Sequence, residues 1–193
     1  RWIKISDAEM IKEKIKIIFE ELKFVFSNVN EEQVDQLVEG ILSAKKIVVC
    51  GAGRVGLSTR AFGMRLCHLG LSTFVIGDSN VPSIGKGDLF LVSSGSGETQ
   101  TIYDLVVISK QNGARVALVT GNTKSRMGKL ADIIVEIQAP SKTKKIKNLK
   151  SVQPMTTLNE QCLWLFYDAL VLILMEKTKM THDKMWTRHS NLE

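Results

Sequence analysis

The sequence predicts an α/β fold: a doubly wound, mainly parallel sheet of five strands, flanked by helices, with helices before it and one long helix after it. Three observations carry this reading. Short apolar runs alternate with helix-length segments. The apolar runs are continuous rather than alternating, as in strands covered on both faces. Two of them end in glycine-rich turns that lead straight into a helix.

Residues 1–45 read as N-terminal helices. Ile11, Ile15, Ile18, Phe19, Leu22 and Phe26 recur at helical spacing over 7–27. Ser6-Asp7-Ala8-Glu9 has the form of a capping box at the start of that run. A second helix is expected over 31–44, with Val34, Leu37, Val38 and Ile41 as its stripe. The α/β core occupies 46–140. Its strands are expected at 46–50, 71–76, 88–92, 116–120 and 133–137. Helices are expected up to Leu69, up to Lys110 and, briefly, at 127–131. A basic loop covers 141–156, and 157–193 form a C-terminal helix and tail. The helix at 157–179 is apolar nearly all round, through Leu158, Leu163, Leu165, Phe166, Leu170, Leu172, Ile173 and Leu174. Such a helix must be covered on more than one side, and another subunit is the expected cover on one of them. The length of 193 residues suits one domain with one well-buried core.

Composition excludes several classes. The 44% hydrophobic and 24% charged residues are ordinary for a globular chain. The net charge of +6 invites a nucleic-acid reading. However, 141–150 alone carries five lysines and no acid, and no zinc-finger spacing, RNP-like motif or basic recognition helix accompanies it. No nucleic-acid partner is expected. Three scattered cysteines without C-x-x-C point to a reducing cytoplasm. Cys50 and Cys67 read as core fillers, and no secretory leader pattern is visible. His68, His182 and His189 have no metal-ligand spacing with the cysteines, so no metal is expected. The most apolar stretch, 163–175, is 13 residues long and contains Asp168, which argues against a membrane span.

Chemistry concentrates in the two glycine-rich turns. Gly51-x-Gly53-x-x-Gly56, with Asp78 beyond the next strand, has the outline of a dinucleotide fingerprint. Its glycines serve equally well to pack a helix on a strand. Ser93-Ser94-Gly95-Ser96-Gly97-Glu98-Thr99 is more informative. It supplies hydroxyl donors and accessible backbone N–H groups directly before a helix, and it lacks the lysine of a nucleotide-binding P-loop. That suits one phosphate monoester, against a plain surface loop capped by Ser96.

V-C-G-A-G-R-V-G at 49–56 together with S-S-G-S-G-E-T at 93–99 resembles the sugar isomerase (SIS) domain family. R-L-C-H-L-G at 65–70, S-V-Q-P-M-T-T-L-N-E-Q at 151–161 and R-H-S-N-L-E at 188–193 narrow the resemblance to the 6-phospho-3-hexuloisomerases, over nearly the whole chain. The resemblance implies a flavodoxin-like, SIS-type sheet. It implies conversion of D-arabino-hex-3-ulose 6-phosphate to fructose 6-phosphate through a cis-enediolate, with no cofactor. It also implies a cytoplasmic homo-oligomer of tetramer size, in ribulose monophosphate metabolism and formaldehyde fixation, with 3-hexulose-6-phosphate synthase as pathway partner.

Residue by residue, the resemblance implies Glu160 as the base and His189 as its acid–base partner, completing a neighbouring subunit's site. Gly53, Arg54, Ser93, Ser94, Gly95, Ser96, Gly97, Glu98 and Thr99 would contact substrate, with the 6-phosphate on the serine loop. Read without the resemblance, Glu160 is equally the cap of Thr157-Leu158-Asn159-Glu160. Arg54 is equally a surface ion pair, and His189 a solvated tail residue. A base needs partial burial, which Met155, Leu158 and Leu163 would provide. Asn159 departs from the resemblance, which leads to the expectation of an aromatic residue such as Phe there, and Trp164 and Trp186 add bulk. The rival readings are a non-catalytic sugar-phosphate sensor, another phosphosugar aldose–ketose isomerase and an NAD-dependent dehydrogenase. The lysine loop either attracts a dianionic sugar phosphate or is merely solvated.

Overall fold

The structure, a computed structural model, describes residues 6–141 and 145–192. Part of the basic loop, 142–144, therefore lies outside the described residues. The chain opens with α1 (Asp7–Phe26) and α2 (Glu31–Ser43). The expected capping box is formed: the Glu9 N–H donates to Ser6 Oγ, and the Ser6 N–H donates back to the Glu9 carboxylate at 2.9 Å. The core then runs β1 (Ile47–Gly51), α3 (Gly53–His68), β2 (Thr73–Val75), β3 (Leu89–Ser93), α4 (Gln100–Gln111), β4 (Arg115–Thr120) and β5 (Ile133–Glu136). It closes with α5 (Thr157–Thr178) and α6 (His182–Trp186).

All pairings in the sheet are parallel, in the order β2-β1-β3-β4-β5. The pleat divides the apolar runs between two faces. Ile47, Val49, Leu89, Leu91, Ala117, Val119, Ile133 and Val135 lie beneath α1, α2, α3 and α5. Val48, Cys50, Phe90, Val92, Val116 and Leu118 lie beneath α4 and Met127. Both faces are covered, which is why the strands are apolar without alternation.

Several elements differ from expectation. Residues 127–130 form hydrogen-bonded turns, not a helix, because the Gly128 N–H donates to Ser125 Oγ and the Leu130 N–H to the Met127 carbonyl, so the i to i−4 ladder is not continuous. The strand expected at 71–76 narrows to three residues at the sheet edge. The tail contains α6, capped by Thr181. Cys67 is exposed, not a core filler. Cys50 and Cys162 are buried, and burial pushes their thiols up to about 11 and about 12 respectively.

α5 has 22 residues and is long and apolar enough to cross a membrane by length and composition. Half of that window is buried, and Leu158, Leu163, Phe166, Leu170 and Leu174 belong to the core beneath α1 and α3. Trp164, Leu165 and Leu172 stay exposed on its opposite side.

Candidate functional site

The strand order reverses between β1 and β3, and their carboxyl ends meet with Gly51 paired to Ser93. In open α/β sheets this switch point is where ligands bind. The helices leaving these strands, α3 and α4, therefore start beside one another, and α5 starts next to them. The N-caps divide into two groups. Ser6, Asn30 and Thr181 each accept a first-turn N–H at the start of α1, α2 and α6. Ala52, Thr99 and Thr156, at the start of α3, α4 and α5, provide no side-chain cap. All three of these line a single cleft of about 370 Å³. Three positive helix ends and their first-turn N–H groups thus converge where an anion would cap them.

The serine loop forms one wall. Ser94 Oγ accepts the Gly97 N–H at 3.1 Å, and Ser96 Oγ accepts the Glu98 N–H at 3.2 Å. These bonds set the loop's shape and leave each hydroxyl its own proton to donate. Gly97 has φ +65°, and a Cβ there would collide with the Ser125 hydroxyl. Ser94, Gly95, Ser96 and Thr99 line the cleft, as expected. Ser93 also lines it, but its hydroxyl is engaged below the cleft by Thr59 Oγ1 and the Tyr167 phenol. Tyr167 stacks on Phe62 at 4.3 Å, and burial pushes its phenol up, so it stays protonated.

Gly97 and Glu98 were expected to touch substrate, yet neither is among the residues lining the cleft. The Glu98 carboxylate accepts the Arg126 N–H at 2.9 Å and the Arg126 Nε–H at 2.8 Å. These bonds hold it below the usual carboxylate range. Arg126 in turn lies over the Tyr103 ring at 4.4 Å. Glu98 therefore fastens the loop to the 122–130 turns.

The dinucleotide outline also has a structural account. A Cβ on Gly56 would lie 2.5 Å from the Gly51 carbonyl, so this glycine permits close helix–strand packing. Asp78 pairs with Arg60 at 3.0 Å and does not line the cleft.

Opposite the serine loop, Arg54 Nε lies 2.9 Å from Glu160 Oε2. Thr156 Oγ1 donates to the other Glu160 oxygen at 2.8 Å. The T-x-x-E cap is not made: the Thr157 hydroxyl donates to the Pro154 carbonyl instead. The Glu160 side chain is 14% exposed, and both it and Arg54 line the cleft. Met155, expected to add apolar cover, is 91% exposed.

Asn159, the neighbour of Glu160, also lines the cleft. It is 1% exposed, and neither its Oδ1 nor its Nδ2 has a hydrogen-bond partner among the described residues. Each buried polar group left unpaired costs about 1–3 kcal/mol.

One contributor escaped the sequence reading. Glu21 of α1 accepts from Ser151 Oγ, the Val152 N–H and Gln153 Nε2, each at 2.8 Å. Burial raises this carboxyl, but the three donors outweigh it and hold it below the usual range. Glu21 thereby anchors the segment leading to Met155 and Thr156. A carboxylate three residues after Ile18 and four before Val25, on the apolar stripe of α1, was the available signal.

His189 is elsewhere in the chain. It packs against Trp186 at 5.1 Å and His68 at 5.4 Å, in a hollow that includes Val171 and Met175 of α5. Those two residues follow Glu160 along α5 by about 16–22 Å at the helical rise. A single chain does not bring His189 into the Glu160 cleft. Ser141, the first residue of the lysine segment, does line it.

Residues 40–165 match the family model described as the SIS domain. The chain is 39% identical to the 3-hexulose-6-phosphate isomerase of Bacillus subtilis, covering 94% of this chain and 98% of that protein. It is 38% identical to the enzyme of the same name from Mycobacterium gastri, covering 95% and 92%. A crystal structure from Methanococcus jannaschii, from which a molecular function of 3-hexulose-6-phosphate isomerase was inferred, superposes with a TM-score of 0.81. It is 26% identical, covering 94% of this chain and 99% of that one.

Proposed function

The chain belongs to the SIS domain family, and within it we propose that it is a 3-hexulose-6-phosphate isomerase, interconverting D-arabino-hex-3-ulose 6-phosphate and fructose 6-phosphate. Its likeness over nearly full length to enzymes of that name supports the assignment. The observation that carries the chemistry is the arrangement of Glu160. Its carboxylate, not used as a cap, faces a hydroxyl-lined anion site across one small cleft, with a fixed cation at 2.9 Å.

The 6-phosphate sits on the Ser94, Ser96 and Thr99 hydroxyls and the uncapped start of α4. Its dianion caps what the chain leaves uncapped. With the phosphate held there, C2 and C3 reach Glu160. The carboxylate takes the C2 proton, and the C–H electron pair forms the C2–C3 double bond. The C3 carbonyl oxygen becomes an enediolate oxygen, stabilised by Arg54, which keeps its charge throughout. Return of the proton to C3, with transfer of the C2 hydroxyl proton to the C3 oxygen, leaves the carbonyl at C2 and a hydroxyl at C3. One carboxylate on one face serves both transfers, so the reaction needs no redox cofactor.

His189 serves as the acid–base partner of a neighbouring subunit's site. Its distance from Glu160 along α5 and the uncovered Trp164, Leu165 and Leu172 support an assembly of this kind. A cytoplasmic tetramer operating beside 3-hexulose-6-phosphate synthase in formaldehyde fixation is the physiological form of this reading.

The test is isomerisation of hex-3-ulose 6-phosphate coupled to detection of fructose 6-phosphate. Glu160→Gln should lower turnover by about 10²–10⁴-fold with the fold intact. Near-normal turnover would remove Glu160 as the base.

A further inference from the structure

The Thr156 hydroxyl donates to Glu160 Oε1 at 2.8 Å and makes no cap bond, although Thr156 stands at the start of α5. We propose that Thr156 is a positioning residue of the isomerase, fixing the plane of the Glu160 carboxylate toward the reacting carbons. The inference rests on the reading of Glu160 as the base and extends it to a residue that reading does not use.

Three observations carry it. First, the geometry pins a torsion that is otherwise soft. The last torsion of a glutamate side chain has a broad, two-fold profile, so an unrestrained carboxylate turns about its axis. Here Thr156 holds Oε1, and Arg54 Nε holds Oε2 at 2.9 Å. The two holds are unequal. The Arg54 side chain is 63% exposed, and in the mechanism above it also serves the enediolate oxygen. Thr156 is half-buried, and its β-branched side chain is stiff. It keeps the carboxylate in place while Arg54 is shared. Second, the hydroxyl is diverted from its ordinary task. A threonine at a helix start ordinarily accepts a first-turn N–H, as Thr181 does at α6. At α5 the Thr156 carbonyl accepts the Glu160 N–H at 3.1 Å, and the hydroxyl goes to the carboxylate of the same residue. Third, the backbone is bent to present it. Met155 has φ +54°, a left-handed conformation uncommon for methionine. Its side chain is exposed, so its own packing does not hold it there. Its neighbours do. Glu21 ties down 151–153, and the Thr157 N–H and hydroxyl both donate to the Pro154 carbonyl. Backbone strain persists where the surroundings over-determine it, and here it sets the direction of the next residue, Thr156.

Thr156→Val removes the donor and keeps the shape. The expected result is a fall in kcat of about 10–100-fold, the scale of loss when a reacting group is slightly misplaced. KM for hex-3-ulose 6-phosphate should change little. Thr156→Ser keeps the donor and should retain most of the wild-type kcat. The thermal midpoint of both variants should stay close to that of the wild type, because no cap bond is lost. A rise in KM with kcat unchanged overturns the proposal, because Thr156 would then hold substrate rather than the base. It is also overturned if Thr156→Ser is as slow as Thr156→Val, or if the midpoint falls while kcat is unchanged. If the Thr156→Val chain does not fold, Thr156→Ala takes the same measurements. Near-normal turnover in Glu160→Gln is a different result. It removes Glu160 as the base, and this inference with it.

Discussion

Glu160 and Glu21 show how two carboxylates acquire different tasks from their surroundings. Glu160 faces a guanidinium and a threonine hydroxyl in an open cleft. Arg54→Ala should lower kcat by about 10²-fold, the usual loss for one group that stabilises a developing oxyanion. Steady-state kinetics checks this, and a rise in KM alone would make Arg54 a substrate holder. Glu21 is enclosed by three donors and held below the usual carboxylate range. A depressed carboxyl contributes stability above its ordinary value and loses it as pH falls through the depressed one. Glu21→Gln should therefore lower stability by about 2 kcal/mol at pH 7, about 4–8 °C in midpoint. The gap from the wild type should close below about pH 4. Melting curves across that range check it, and a gap independent of pH would make the loss one of packing.

At the scale of elements, the sequence motif and the structural device differ in an informative way. In sequence the serine-glycine loop is expected to be an anion site, because its hydroxyls and glycines precede a helix. Which of its members face the cleft is not legible. Ser94, Ser96 and Thr99 face the cleft, whereas Gly97 and Glu98 hold the loop to the 122–130 turns. That division depends on Ser125 and Arg126, which are distant in sequence. Gly97→Ala should cost about 3 kcal/mol, from its positive φ and from contact with Ser125. It should also raise KM for the sugar phosphate more than it lowers kcat. Adding Ser125→Gly should restore part of the stability, which thermal melts would register.

At the scale of the whole molecule, the apolar sides of α5 are only half used within one chain. Core residues cover one side, and Trp164, Leu165 and Leu172 remain exposed on the other. His189 lies toward the far end of the same helix from Glu160. Mixing inactive Glu160→Gln and His189→Ala subunits should restore activity if the two residues meet across an interface. Absence of recovery despite demonstrated subunit exchange would return His189 to a role within its own chain. Of the net charge, one point of attachment is placed: Ser141, just before the first of the five clustered lysines, lines the cleft.

The sequence by itself determined the layering. Continuous apolar runs separated by helices demand a parallel sheet with two covered faces, because each strand must bury both sides. The capping box at Ser6 and the glycine turns after two strands are local features, readable over a few residues. Only the tertiary structure decided which groups share the cleft. It joined Arg54 to Glu160 from distant parts of the chain, released Glu160 from its apparent cap and left the Asn159 amide, beside Gly95, without a partner among the described residues. It also left three helix starts uncapped at one point. The physical reason is that a cap, an ion pair and an unpaired amide look alike in sequence. They separate only when the distances between remote side chains are set by packing.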